Sequence, residues 1–346
     1  MNILFVDIKT SENYDFKYME SNPLGGTEST VLRLARELAK KHNVYLSQLN
    51  RTERYVENNV TFIHRSESLS QDFIPDIIII IRKYKLLKEY SLAFPKAKMF
   101  VWVHNFSKHE ILGRRHWMVK TNAKVVCVSE NHRQHIDNIL NGTLSWLFRL
   151  LAFKFNKVPV SYVYNTIEAE FSDKKNNYDP NKLFFFSSPN KGLKETLMHF
   201  SNLLKVAPNY KLYITTDEEA YREYKLDRDL LASGAVVLLG RIAKDEIIKH
   251  TQESFCVFYP QHVHAETFGL VYVEANCAGT PVLAHDFGAA SEVMKNKQQL
   301  VNGESSEEVV NKMLDWAKNG RPEVSCDERF SISYAIKKWN KLLNLN

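Results

Sequence analysis

Short apolar runs alternate with longer amphipathic segments along the whole chain, which is the pattern of parallel strands connected by helices. In the first half, the runs that we predict as strands are residues 3–6, 44–49, 61–64, 77–81, 99–103, 125–128 and 161–164. The same rhythm restarts in the second half at residues 183–186, 211–215, 236–239, 256–259 and 281–284. The pattern therefore predicts two α/β domains.

Helical spacing of apolar residues predicts an amphipathic helix at residues 27–41, which follows the first strand after a long loop. A polar, turn-rich stretch around residues 165–180 separates the two halves. We therefore expect a first domain at 1–165 and a second at 166–330. A last helix is predicted within 331–346, where the apolar residues at helical spacing are Ile336, Trp339, Leu342 and Leu343.

The most informative segment contains Glu266 and Glu274, with seven residues between them, before Gly279 and Pro281. Thr267 can cap a helix, and the spacing predicts that helix over residues 268–278. The N–H groups at a helix N-terminus attract phosphate, and flanking carboxylates accept hydrogen bonds from hydroxyls. A nucleotide sugar carries phosphate between two sets of hydroxyls, so the segment is suited to bind such a molecule.

The alternative interpretation of this segment is a buried helix that happens to contain two glutamates. Glu274 lies among Val271, Val273, Ala275 and Ala278. A carboxylate in such an apolar setting is costly unless it has a partner, so this pattern favours a functional role.

The segment resembles the signature of the retaining GT-B glycosyltransferases of family GT4, in which Glu, seven residues and Glu precede a Gly-x-Pro-Val strand. The resemblance implies an α/β fold with two facing Rossmann-like domains, parallel sheets and a C-terminal helix that crosses back to the first domain. It implies an acceptor-binding first domain and a second domain that binds a UDP- or GDP-linked sugar. The implied reaction is hexosyl transfer to a hydroxyl acceptor, without a metal or other cofactor.

The resemblance also implies roles for residues within the segment. Glu266 is expected to bind hydroxyls of the transferred sugar, and Glu274 the ribose. The backbone of the stretch between them is expected to hold the diphosphate, through Thr267, Phe268, Gly269 and Leu270.

Two features of the first half match the same family. Gly25 and Gly26 open the helix after the first strand, where such a loop lies over the donor diphosphate in the family; a tight turn is the alternative. His104 follows a predicted strand, at the edge where doubly wound sheets bind ligands. The resemblance implies that His104 donates a hydrogen bond to a sugar hydroxyl and does not act as a general base.

In the second half, Lys191 matches the family lysine that stabilises the departing diphosphate. The arginine that usually precedes this lysine is absent, and Ser187 and Ser188 occupy the region instead. Their hydroxyls can bind phosphate but add no charge. Arg241, after the predicted strand at 236–239, is a further candidate for donor binding, with a solvent-exposed role equally open.

The charged motif Asp227-Arg228-Asp229 has the form that other glycosyltransferases use for a metal, but i and i+2 side chains diverge on a helix. We therefore predict no bound metal. The four cysteines are scattered without Cys-x-x-Cys spacing, which argues against a disulfide framework or a zinc site and fits a reducing cytoplasm. They are Cys127, Cys256, Cys277 and Cys326.

Positive charge is concentrated in residues 1–165, which contain 24 Lys and Arg against 15 Asp and Glu, whereas the remainder contains 22 against 25. The first domain could therefore face an anionic partner, such as an inner membrane surface or a lipid-linked acceptor. Residues 144–157 combine basic and aromatic side chains, and this stretch could lie at a membrane or form a core helix. No run approaches the roughly 20 apolar residues of a membrane span.

Two rival functions remain open at this point. The first is another sugar-nucleotide enzyme on the same fold, such as an epimerase. The second is a non-catalytic protein that binds a polyanion or a membrane through the basic first half. We expect a glycan or a lipid-linked acceptor as the partner, and no nucleic acid.

Overall fold

The chain divides into two α/β units, each built around its own sheet. The first unit comprises Met1–Thr166 and Ile332–Asn346, and the second comprises Ile167–Ser331. The computed structural model describes residues 1–9, 12–22, 24–70, 72–106, 109–142, 156–167 and 177–345.

The first unit contains an eight-stranded sheet in the order β3-β4-β2-β1-β5-β6-β7-β8. All neighbours are parallel except the β3–β4 pair. The strand β5 is buried along its whole length, as expected for a central strand covered on both faces. The eight strands are β1 (Asn2–Val6), β2 (Asn43–Gln48), β3 (Tyr55–Glu57), β4 (Val60–His64), β5 (Ile77–Ile81), β6 (Lys98–Trp102), β7 (Lys124–Cys127) and β8 (Val160–Tyr162).

Helices connect these strands and cover the sheet. In the chain before β8 they are α1 (Phe16–Ser21), α2 (Gly26–Ala39), α3 (Leu86–Ala93), α4 (His109–Leu112), α5 (Arg115–Lys120) and α6 (Glu130–Asp137). The side chain of Ser129 caps α6 by accepting a hydrogen bond from the His132 N–H.

The second unit contains a six-stranded, wholly parallel sheet in the order β11-β10-β9-β12-β13-β14. Its strands are β9 (Asp179–Phe185), β10 (Lys211–Ile214), β11 (Val236–Leu238), β12 (Ser254–Tyr259), β13 (Val282–His285) and β14 (Leu300–Val301). Its helices are α7 (Leu193–Leu204), α8 (Glu218–Glu223), α9 (Arg228–Ala232), α10 (Lys244–Gln252), α11 (Leu270–Cys277), α12 (Ala290–Val293) and α13 (Ser306–Asn319).

The terminal helix α14 (Ile332–Leu343) returns to the first unit, as the family resemblance implied. Its Trp339 is buried, with its ring centroid 4.8 Å from that of Trp102 at the end of β6. The Lys124 Nζ also donates to the Leu342 carbonyl over 3.3 Å. The last turns of the chain therefore complete the core of the first unit.

Every predicted strand is present, with ends that agree within two residues except at β9, which begins at Asp179. The two strands that the pattern did not predict are β3 and β14, which lie at sheet edges. Both are short, so neither produces an apolar run that stands out in the sequence.

Candidate active site

Three side chains of the second unit meet at the C-terminal ends of β9 and β12. The Lys191 Nζ lies 2.9 Å from Glu266 Oε1 and 3.2 Å from Glu266 Oε2. The Tyr259 hydroxyl donates to the same Oε1 over 3.0 Å. Glu266 is buried, so its charge is compensated by a cation and a phenol that come from different strand ends.

A left-handed glycine places Lys191 at this position. Gly192, the N-cap of α7, has a φ of 87°, and a Cβ there would lie 2.5 Å from the Cβ of Gln261. The Gln261 side chain in turn accepts from the N–H groups of Val263 and His264 over 3.0 and 2.8 Å. The loop after β9 therefore packs closely against the loop after β12 only because residue 192 lacks a side chain.

The backbone of Glu266 is fixed from the opposite side by the loop that follows β13. The Ala289 N–H donates to the Glu266 carbonyl over 3.0 Å. A Cβ on Gly288, whose φ is 62°, would lie 2.5 Å from that carbonyl oxygen. Three strand ends thus define the position of this carboxylate.

Tyr259, the last residue of β12, is the phenol that bonds to this carboxylate. Burial, together with the neighbouring Glu266 carboxylate, raises the pKa of Tyr259 well above its usual value. The phenol therefore keeps its proton at neutral pH and donates a hydrogen bond to Glu266.

The helix after Glu266 begins later than predicted, which corrects the capping role of Thr267. The N-cap is Gly269, with a φ of 83° and no side-chain cap, and α11 runs from Leu270 to Cys277. Gly269 is required because a Cβ there would clash with the Tyr272 ring. The buried Phe268 packs edge-on against Phe330, with ring centroids 5.3 Å apart.

Because α11 starts later, Glu274 is only its fifth residue and lies closer to the helix N-terminus than expected. Its side chain is half-buried. In the first turn of α11 the Tyr272 N–H donates to the Gly269 carbonyl over 3.0 Å, and the N–H groups before it precede any acceptor within the helix. This turn contains no acidic side chain. This terminus can therefore take an anion from outside the helix.

Two other candidates of the second unit lie away from this cluster. Arg241 is exposed after the edge strand β11. Asp227 caps α9 by accepting from the N–H groups of Asp229 and Leu230, which explains its presence without a metal. In the described ranges, no group of three His, Cys, Asp or Glu residues is arranged to hold a metal ion.

In the first unit, His104 lies beyond the end of β6 and is buried. Burial, reinforced by the positive charge of Arg82, holds the pKa of His104 well below its usual value. The imidazole is therefore neutral at pH 7, which suits a hydrogen-bonding role. The neighbouring Asn105 carbonyl is anchored 3.1 Å from the Nε2 of the buried His132.

Arg82 centres a buried ionic cluster beside His104, at the ends of β1 and β5. Its Nη2 lies 3.0 and 2.7 Å from the two carboxylate oxygens of Asp7 and 2.7 Å from Glu28 Oε1. The Tyr14 hydroxyl donates to Asp7 over 2.9 Å. Arg82 has a left-handed backbone, with a φ of 60°. This cluster satisfies two buried acids with one guanidinium.

Gly25 and Gly26 have a local role that the sequence did not reveal. Gly25 is the N-cap of α2, and the Glu28 carboxylate folds back to the place that a Cβ of Gly25 would occupy. The Glu28 carboxylate therefore lies at the N-terminus of α2, and the missing side chain of Gly25 leaves room for it in the ionic cluster. Both glycines are exposed.

The cysteines require a correction, because Cys277 and Cys326 form a disulfide. It joins the last residue of α11 to the segment before α14, across 49 residues of sequence. Sequence spacing alone did not predict this bond, since the two residues meet only through the fold. Cys127 and Cys256 are buried free thiols.

The aromatic and basic segment at 144–157 lies, apart from its last two residues, outside the described residues. Nearby, Arg115 donates to the carbonyls of Leu140 and Asn156 over 2.6 and 2.5 Å, so it is a structural residue. Lys88 and Lys120 lie over the Trp117 ring. Among the helices that the structure describes, none combines the length and apolar character needed to cross a membrane.

Sequence reasoning missed Tyr259, Asp7 and Arg82. Each lies at or directly after the end of a predicted strand, so a search of all strand ends for polar residues would have found them. Their partners are not visible from the sequence, because Arg82 and Asp7 are 75 positions apart.

The sequence profile of the glycosyl transferases group 1 family matches residues 167–339, which is half of the chain. No curated protein sequence matches the chain. Solved structures share its fold over almost the full length. Sucrose-phosphate synthase from Thermosynechococcus elongatus has 13% identity and a TM-score of 0.69, covering 99% of this chain and 98% of its own.

Two further structures show the same likeness. Anabaena HepE in complex with UDP-glucose has 16% identity and a TM-score of 0.69, with 99% of both chains covered. The catalytic domain of starch synthase IV from Arabidopsis thaliana, bound to ADP and acarbose, has 12% identity and a TM-score of 0.65, with 99% and 98% covered. At these identities the likeness concerns the fold.

Proposed function

The chain belongs to the glycosyl transferases group 1 family, and we propose that it is a retaining hexosyltransferase that takes its sugar from a nucleoside diphosphate. In this proposal the second unit binds the donor and the first unit binds the acceptor. The donor is a UDP- or GDP-linked hexose, and neither a metal nor another cofactor takes part.

The observation that carries the proposal is the pairing of Lys191 with Glu266 beside the N-terminus of α11. Lys191 is a mobile cation suited to phosphate, and Glu266 is a carboxylate suited to sugar hydroxyls. The N-terminus of α11 supplies N–H groups suited to an anion. A nucleotide sugar presents these complementary groups in one molecule. The UDP-glucose bound to Anabaena HepE, which shares the fold, also supports this ligand class.

We propose the following donor contacts in the second unit. Glu266 accepts hydrogen bonds from the hexose hydroxyls, and Glu274 accepts them from the ribose. The diphosphate binds Lys191 and the N–H groups around Thr267, Phe268, Gly269 and Leu270. Ser187 adds a hydroxyl to the phosphate site, and Arg241 contributes charge only if its exposed side chain folds inward.

The proposed reaction breaks the bond between the anomeric carbon and the diphosphate oxygen, and the bonding electrons leave with that oxygen. Lys191 stabilises the accumulating negative charge. The acceptor hydroxyl oxygen bonds to the anomeric carbon on the same face, and its proton passes to the departing phosphate. His104, neutral because of its lowered pKa, donates a hydrogen bond to a sugar hydroxyl.

We propose a hydroxyl of a glycan or a lipid-linked glycan as the acceptor. The excess of basic residues in 1–165 supports an acidic or membrane-associated acceptor, reached from the cytoplasmic face. Gly25 and Gly26, which are exposed at the start of α2, are proposed to lie near the donor and acceptor.

Donor binding is tested by thermal-shift measurements against UDP, GDP, ADP and their hexose conjugates. We expect one nucleoside diphosphate to raise the melting temperature, because a ligand that binds only the folded state stabilises it. No shift with any member of the panel would contradict the proposal.

A matched pair of lysine variants locates the phosphate contact. Lys191→Met should weaken binding of the diphosphate by roughly 10- to 100-fold, the range for a hydrogen bond to a charged group. Lys194→Met alters an exposed lysine three residues later and should bind as the wild type does. Equal affinities in the two variants would place the diphosphate elsewhere.

A further inference from the structure

We propose that Tyr259 is a positioning residue that holds Glu266 in place while Lys191 moves from this carboxylate to the donor diphosphate. The inference rests on the proposed function and adds to it a residue and a sequence of contacts. The sequence analysis did not single out Tyr259, and an exchange of partners is not visible from a sequence.

The Lys191 Nζ lies within hydrogen-bond distance of both oxygens of Glu266, at 2.9 and 3.2 Å. A lysine whose charge is balanced by this carboxylate stabilises a diphosphate less than one that turns its donors to the phosphate. Its side chain is 34% exposed, against 9% for Glu266, so the lysine is the partner that can swing toward an incoming ligand. We therefore infer that Lys191 changes partners when the donor binds.

Departure of Lys191 would leave a buried carboxylate without its cation, which is costly unless hydrogen bonds remain. The remaining side-chain partner that the structure shows for Glu266 is the Tyr259 hydroxyl, 3.0 Å from Oε1. Because the pKa of Tyr259 is raised by burial, its proton stays available for this bond. Oε2 is then released to accept a hydroxyl of the hexose.

Tyr259 is itself rigidly placed, as a positioning residue must be. It is the last residue of β12 and is fully buried. Its ring packs against Phe185 and Tyr272, with centroid distances of 5.5 and 5.8 Å. Its hydroxyl donates to Glu266 Oε1 over 3.0 Å, so the phenol proton lies on the side of this carboxylate.

The test compares Tyr259→Phe with Tyr272→Phe. Both changes remove one hydroxyl from a buried ring near Glu266, but the structure shows a hydrogen bond to Glu266 only from Tyr259. Calorimetric titration with UDP and with the UDP-hexose gives the share of affinity that the hexose supplies. The UDP-hexose is then used to measure kcat by the release of UDP. If the thermal-shift panel selects GDP instead, GDP and the GDP-hexose replace UDP and the UDP-hexose in these measurements.

We expect Tyr259→Phe to bind the nucleoside diphosphate within about twofold of wild type, which also shows that it is folded. Its kcat and the hexose share of affinity should fall by roughly 10- to 100-fold, the effect of losing a hydrogen bond to a charged group. Tyr272→Phe should behave as the wild type in all three measurements.

If the wild type binds the donor, two results would overturn this inference and leave the proposed function standing. One is an unchanged kcat and hexose contribution in Tyr259→Phe, and the other is an equal loss of diphosphate and hexose binding, which indicates a general structural role. A wild type that binds no nucleoside diphosphate would overturn the proposed function and this inference together.

Discussion

Glu266 and Glu274 have different environments although they look like a pair in the sequence. Glu266 is buried and held by two side chains, whereas Glu274 is half-buried on the second turn of α11. A general acid and general base would need carboxylates placed on either side of one bond. The proposed function instead has one glutamate bind the hexose and the other the ribose.

Buried histidines give the first unit a pH-dependent stability. Burial lowers the pKa of His132 to about 4, although its bond to the Asn105 carbonyl opposes the shift. The unfolded chain takes up a proton near pH 6.5, whereas the folded chain resists until about pH 4. Stability from this residue is therefore complete above pH 6.5 and is lost as the pH falls from there toward 4.

We predict that His132→Asn reduces the pH dependence of unfolding measured with urea between pH 7.5 and 4.5. Its contribution over this window is up to about 2–3 kcal/mol, from the size of the shift. The exposed His116→Asn serves as the control and should follow the wild-type curve. Identical slopes in all three proteins would disprove this assignment.

At the scale of the elements, the start of α11 depends on a glycine and not on a capping hydroxyl. We predict that Gly269→Ala costs more stability than Gly234→Ala. Both residues have a positive φ, of 83° and 73°, which costs an alanine roughly 1 kcal/mol. Only at Gly269 does the new Cβ also meet a ring, that of Tyr272, whereas the space around Gly234 is open.

Urea unfolding of the two alanine variants measures this difference. The excess cost for Gly269→Ala should be about 1–3 kcal/mol, the usual penalty for overpacking. Nucleotide affinity should fall with it, since the displaced residues carry the N–H groups proposed for the diphosphate. Equal costs and unchanged affinity would show that the start of α11 tolerates a side chain.

The sequence predicted the elements well where burial decides them. Central strands such as β5 are covered on both faces and produce continuous apolar runs, so their positions were predicted correctly. The edge strands β3 and β14 lack that signal. The start of α11 was wrong because Thr267 is a good cap by type, whereas the left-handed backbone of Gly269 depends on packing against Tyr272.

The candidate site was predicted in part for the same reason. Residue types at strand ends, such as Lys191 and His104, are readable from the sequence. Their partners are not, because the Lys191–Glu266 and Arg82–Asp7 contacts each span 75 positions. The Cys277–Cys326 disulfide was likewise invisible, since it depends on where the segment before α14 returns.

At the scale of the whole molecule, the first unit is completed only when the chain returns from the second. We predict that Trp339→Ala in α14 destabilises the first unit by about 3–5 kcal/mol, the usual cost of removing a buried aromatic ring. Hydrogen exchange should then increase in β6, where Trp102 contacts this ring, and stay unchanged in β12 of the second unit.

Tyr334→Ala provides the control, because Tyr334 lies on the same helix and is 37% exposed. Its hydrogen exchange should match the wild type in both units. A Trp339→Ala variant with wild-type protection in β6 would show that α14 contributes little to the first unit.

In the proposed function, Glu266 takes part in glycosyl transfer from a nucleotide sugar. The most direct measurement is release of the nucleoside diphosphate from the donor panel by the wild type and by Glu266→Gln, with nucleotide binding measured for both. We predict release from one donor by the wild type and a loss of at least about 100-fold in the variant, with binding retained. Equal release by the two proteins, or no release by the wild type from any donor, would contradict the account.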